Sequence, residues 1–176
     1  GGGGPPWGGE VCDLGGGVCG QAGGCLWFKG GSVNVPGGKF HGMVTPERVV
    51  KVTDVLLASH ENTAQIIDAR PAARFNAEVD EPRPGLRRGH IPGAFNVPWT
   101  ELVREGELKT TDELDAIFFG RGVSYDKPII VSCGSGVTAA VVLLALATLD
   151  VPNVKLYDGA WSEWGARADL PVEPVK

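Results

Sequence analysis

At 176 residues, with 43% hydrophobic side chains and a formal net charge of -5, the chain is expected to be one globular domain with an appendage. There is no basic excess to draw it to nucleic acid or to an anionic lipid surface. The longest apolar run, 137–149, is too short to span a bilayer and is predicted to be a buried core helix.

Residues 1–40 differ in composition from the rest. They hold 16 of the 27 glycines, three of the four cysteines and only four charged residues, with no aliphatic period. This glycine-rich segment is predicted to be a poorly ordered head. It lacks the charged start and apolar centre of a signal peptide, and it is not Arg- and Ser-rich like a transit peptide. The absence of an initial Met suggests a fragment or a processed form. Cys12, Cys19 and Cys25 make no CxxC pair, so three free thiols are expected here rather than a zinc site or a closed disulfide framework.

From about Met43 the periodicity becomes readable. "TPERVVKVTDVLLASH" (45–60) predicts an amphipathic helix with Thr45 as N-cap and Pro46 in the first turn. "AQIIDAR" predicts a short buried strand ending in a carboxylate, and "GAFNVPW" a second strand. "TTDELDAIFFG" predicts a helix with an acidic first turn, and "KPIIVSC" a third strand. After the apolar helix of 137–149, "VKLYDG" predicts a fourth strand, and a short segment around "WSEWGARA" closes the chain. Strands that are apolar throughout and alternate with helices imply an α/β fold: a mostly parallel sheet covered by helices on both faces.

Cys133 sits where such sheets place their ligands, at the carboxyl end of a buried strand. The loop "CGSGVTA" that it opens has small residues at the next three positions, which lets successive amide N–H groups turn inward as an anion nest. The following helix adds the positive end of its dipole. These donors are expected to favour a thiolate and to hold a persulfide or a developing anion. The competing reading is a buried cysteine that merely fills space beside a turn.

"GHIPGAFNV" (89–97) and "VKLYDGAWSEW" (154–164) resemble the two signature stretches of the rhodanese-type sulfurtransferases. "CGSGVTA" resembles the active-site loop of their 3-mercaptopyruvate branch. The resemblance runs over about 44–174, one rhodanese-like three-layer α/β domain, and Leu86 departs from it where an aromatic residue is usual. It implies a sulfur relay from 3-mercaptopyruvate, and less well from thiosulfate, through a persulfide on Cys133 to cyanide or a thiol acceptor. That acceptor would be a small thiol or a thioredoxin-like protein. Ser135 would assist carbon–sulfur cleavage, Arg74 and Arg83 would grip the donor, and Gly134, Ser135, Gly136, Val137 and Thr138 would cradle the persulfide. Arginine suits a carboxylated donor because its planar fork can meet the carboxylate at two points. Gly134 and Ser135 stand where thiosulfate-preferring members carry Arg and Lys. No metal or organic cofactor is expected, nor any nucleic-acid or membrane partner, and the location implied is cytoplasmic or mitochondrial rather than secreted.

Other polar residues are expected to be structural: His90 as a loop brace, Asp68 as a backbone anchor, Asp158, Trp161 and Trp164 as turn and core, Arg87 and Arg88 as solvated charges. A cysteine phosphatase needs an arginine six residues after the nucleophile, and that position is Ala139. In the branch resembled, two domains occur in tandem with the active site between them. The head is therefore a possible remnant of a preceding domain, and the rival function is an impaired single domain acting as a binding or regulatory module.

Overall fold

The computed structural model describes residues 45–174 and three short strands of the head, β1 (Glu10–Cys12), β2 (Gly17–Cys19) and β3 (Cys25–Trp27). The chain divides into two units, 1–43 and 44–176. In the first, β2 pairs antiparallel with both β1 and β3. The expectation of a poorly ordered head falls mostly on residues outside the described ones. So do the side chains of Cys12, Cys19 and Cys25.

The second unit runs β4 (Val49–Val50), α1 (Val52–Glu61), β5 (Gln65–Asp68), α2 (Ala72–Phe75) and β6 (Phe95–Asn96). It continues with β7 (Val103–Arg104), β8 (Glu107–Leu108), α3 (Thr111–Gly120), β9 (Ile129–Ser132), α4 (Ala139–Thr148), β10 (Val154–Tyr157) and α5 (Ala160–Trp164). Five strands form one sheet in the order β4-β10-β9-β5-β6, and every pair in it is parallel. β7 and β8 form a separate antiparallel hairpin. The α/β layering predicted from the alternation of elements is present.

The two central strands, β5 and β9, are buried at every residue, which is why their central residues are consecutive apolar ones rather than alternating with polar ones. Successive side chains still leave a strand on opposite faces. Ile67, Ile129 and Val131 pack on one face with Leu114 and Phe118 of α3 and Val142, Ala145 and Leu146 of α4. Ile66 and Ile130 pack on the other with Val55 and Ala58 of α1 and Trp161 and Trp164 of α5.

The helix predicted over 45–60 starts later than its pattern suggested. Residues 46–48 make a single 3-10 turn, Thr45 provides no side-chain cap, and Val49–Val50 leave as an edge strand beside Leu156 and Tyr157 of β10. Two adjacent β-branched residues fit a pleated edge better than a first helical turn. The helix proper begins at Val52, where the Asp54 carboxylate accepts the Lys51 N–H at 2.8 Å. The helix predicted over 137–149 is shorter by two residues at its start and one at its end. Among the described residues no helix is long and apolar enough to cross a membrane.

Candidate active site

β9 delivers Cys133 to the carboxyl end of the sheet, and the loop that follows is anchored from behind. The N–H groups of Trp161 and Ser162, in the first turn of α5, donate to the carbonyls of Cys133 and Gly134 at 2.9 and 3.0 Å. On the loop so anchored, the Gly136 N–H donates to Cys133 Sγ at 3.0 Å. Gly136 is required for this turn. Its φ is +88°, and a Cβ there would lie 2.9 Å from Asp158 Oδ1. The inward amide nest expected for residues 134–138 is therefore represented at the sulfur by one direct donor among the described residues. Cys133 itself is 1% exposed.

A cavity of about 190 Å³ lies beside this loop, lined by Gly134, Ser135 and Thr138 on one side and by Arg74, Glu81, Pro82, Arg83 and Leu86 on the other. The structure thus brings together Arg74, Arg83, Gly134, Ser135 and Thr138. Val137 points away from the core and is 74% exposed. Ser135 is exposed, and its hydroxyl has no hydrogen-bond partner among the described residues; it caps no helix and braces no turn. A larger cavity, about 740 Å³, lies at Arg48, Leu143, Asp150, Asn153 and Lys155, and none of the predicted site residues lines it. Size does not decide between the two, because α/β sheets bind ligands where the strands end.

Arg74 and Arg83 differ in their surroundings. Glu81 accepts from Arg74 Nε at 3.1 Å and makes a second, shorter contact with Nη2, so the two side chains meet as a fork. The same carboxylate accepts from Arg70 Nη1 at 2.8 Å. The Arg74 guanidinium lies against the loop, where a Cβ on Gly134 would be 2.8 Å from Nη2. Arg83 is exposed at the pocket rim and forms no ion pair with any described residue.

Two residues of this network were not anticipated. Arg70 is 1% exposed and lies 4.3 Å above the Trp161 ring. It is held by Asp68 through Nε and Nη2, by Glu81, and by the Gly89 carbonyl at 2.7 Å. Glu81, with a side chain 1% exposed, joins it to Arg74. The only sequence signal was the Asp68-Ala-Arg70 end of a buried strand, and their partners arrive from residues 81, 89 and 161. Asp68 does anchor backbone, accepting the Arg70 N–H at 2.9 Å, but it also neutralises that buried guanidinium.

Arg87 corrects a further expectation, since it is not a solvated charge. Its guanidinium donates to the carbonyls of Trp164, Gly165, Arg167 and Leu170, and the burial this entails pushes its pKa down. Arg88 is solvent-facing and pairs with Asp80. His90 braces the loop as expected: its ring stacks on Phe75 at 3.7 Å, and Nδ1 meets the Phe75 carbonyl at 2.7 Å. Trp161 and Trp164 are core. No group of three or more His, Cys, Asp or Glu among the described residues is placed to hold a metal ion.

A parallel sheet that places a loop cysteine at its carboxyl end, beside a pocket lined by Arg74 and Arg83, is an α/β arrangement, and residues 51–167 match the model of the Rhodanese-like domain family. The chain belongs to that family. It is 92% identical over 145 residues to 3-mercaptopyruvate sulfurtransferase of Escherichia coli (strain K12), covering 82% of this chain and 52% of that protein. To the Rattus norvegicus 3-mercaptopyruvate sulfurtransferase it is 40% identical over 131 residues, covering 74% and 44%. The crystal structure of SseA from Escherichia coli superposes with a TM-score of 0.66 at 86% identity, over 78% of this chain and 51% of that one. The chain thus spans about half the length of the curated relatives it matches.

Proposed function

We propose that this domain moves a sulfur atom from 3-mercaptopyruvate, and less efficiently from thiosulfate, to a thiol or cyanide through a persulfide on Cys133. The Cys133 thiolate attacks the donor sulfur, a sulfur–sulfur bond forms, and the donor carbon–sulfur bond breaks. Its electron pair leaves on pyruvate enolate, which takes up a proton with help from Ser135. Arg83, together with the unengaged Nη1 of Arg74, meets the donor carboxylate. The loop of Gly134, Ser135, Gly136, Val137 and Thr138 cradles the persulfide, and a small thiol or a thioredoxin-like protein then removes its outer sulfur. The observation that carries this reading is the Gly136 N–H aimed at Sγ from 3.0 Å, an oriented backbone donor placed to hold charge that develops on sulfur during transfer.

One observation favours a second reading, a binding module: Cys133 is 1% exposed and does not line the adjacent cavity, so a donor must displace part of the loop to reach it. Mass spectrometry after incubation with 3-mercaptopyruvate separates the two. A gain of one sulfur atom, absent in Cys133→Ala, is expected for the enzyme. No gain at any donor concentration sinks that reading in favour of the module.

A further inference from the structure

Two arginines line the pocket, yet their electrostatic contributions are unequal. Arg74 is forked onto Glu81, with Nε and Nη2 both engaged. Behind it Arg70 is forked onto Asp68 and shares Glu81. The set therefore contains two guanidinium groups and two carboxylates, with Arg74 its one partly exposed member, and its formal charges cancel. Glu81 is inaccessible to solvent, its side chain 1% exposed, so water cannot take over its part. Arg83 stands apart, exposed at the rim with no ion pair among the described residues.

We propose that Glu81 is the specificity-determining residue of this pocket: by neutralising Arg74 and pinning it against Gly134, it leaves Arg83 as the pocket's single uncompensated cation and tunes the site to a monoanionic carboxylate over a dianion. The inference deepens the sulfurtransferase reading and rests on it for the identity of the donors. Its physical basis is that a carboxylate in a partly desolvated pocket is balanced by one free positive charge. A dianion of the thiosulfate kind needs a second, which Glu81 has cancelled. Arg74 keeps a positional role through Nη1, supplying hydrogen bonds without net charge.

The test reads binding without sulfur transfer. Sodium pyruvate and sodium sulfate serve as inert monoanionic and dianionic probes, titrated at matched ionic strength into the 15N-labelled chain. Dissociation constants are taken from the amide shifts of Gly134 and Ser135. Glu81→Gln retains an acceptor for both arginines and removes the charge. It is expected to strengthen sulfate relative to pyruvate by about five- to tenfold, the order expected of one extra unit charge at a partly exposed site. A folded Glu81→Gln chain with an unchanged ratio, or one that loses both probes equally, overturns the proposal and leaves Glu81 a purely structural brace. Arg83→Gln, at an exposed and unpaired position, tests the same idea without disturbing that set. It is expected to weaken sulfate at least about fivefold, whereas sulfate binding within twofold of the unaltered chain would mean that Arg74 is itself a free cation, and the proposal fails. A chain that binds in the expected pattern yet forms no persulfide upholds this inference and overturns the sulfurtransferase reading.

Discussion

At the scale of single residues, the sulfur's environment depends on two glycines whose missing side chains do different work. Gly134 makes room for the Arg74 guanidinium, and Gly136 takes a left-handed φ at a point where a Cβ would run into Asp158. Gly136→Ala would add both strain and a contact at 2.9 Å, and the amide that donates to Sγ would have to move. We expect this variant to keep its circular dichroism spectrum and to form persulfide roughly 100-fold more slowly, the low end of the cost of losing one oriented donor. A rate within twofold of the parent would show that the amide contributes little.

At the scale of elements, α3 shows how far a helix end can be set by local sequence. Thr110 and Glu113 reciprocate: Glu113 accepts the Thr110 N–H at 3.0 Å, and Thr110 Oγ1 accepts the Glu113 N–H at 3.4 Å. Arg104, from the β7–β8 hairpin, adds a fork onto the same carboxylate at 2.8 and 3.0 Å. The Arg104 hydrogen bond first, and the Thr110 backbone next, hold the Glu113 carboxyl down at about 2. Since the folded group is depressed, its stabilisation is present above its ordinary value and is lost as the pH falls from about 4.5 through about 2. Glu113→Gln should therefore melt below the parent at neutral pH, with the gap closing toward pH 2. The effect should be small, because the pair faces solvent. Parallel melting curves of the two proteins at all pH values would refute the assignment.

At the scale of the whole molecule, the segment from 82 to 90 and the chain's closing segment hold each other in place. Arg87 donates to four carbonyls between Trp164 and Leu170, while the Trp161 indole N–H returns a bond to the Arg87 carbonyl at 2.9 Å. Through its guanidinium and its own carbonyl, Arg87 thus ties α5, which anchors the cysteine loop, to the stretch that carries Arg83. Arg87→Ala should cost about 2–3 kcal/mol in chemical denaturation, because several buried acceptors lose their donor at once. Arg87→Lys should recover little of it, since an ammonium cannot reach carbonyls spread across a planar fork. Full rescue by lysine would mean that charge alone matters there.

What the chain determined locally is considerable. The runs ending at Asp68 and Ser132, the capping pair at Thr110 and Glu113, and the glycine loop after Cys133 are each readable because their physics is confined to a few neighbouring residues. The edge strand at Val49–Val50 was hidden inside a helical pattern, since only the presence of β10 makes pairing there better than a first helical turn. The buried charges were hidden for a related reason. Nothing in the spacing of Asp68, Arg70, Arg74 and Glu81 says that they join in one ion-pair network, and nothing near Arg87 announces four carbonyls from a segment about eighty positions away. Tertiary structure alone decided which arginine would be neutralised and which would face the pocket free, because desolvation and pairing depend on what the fold brings alongside each group.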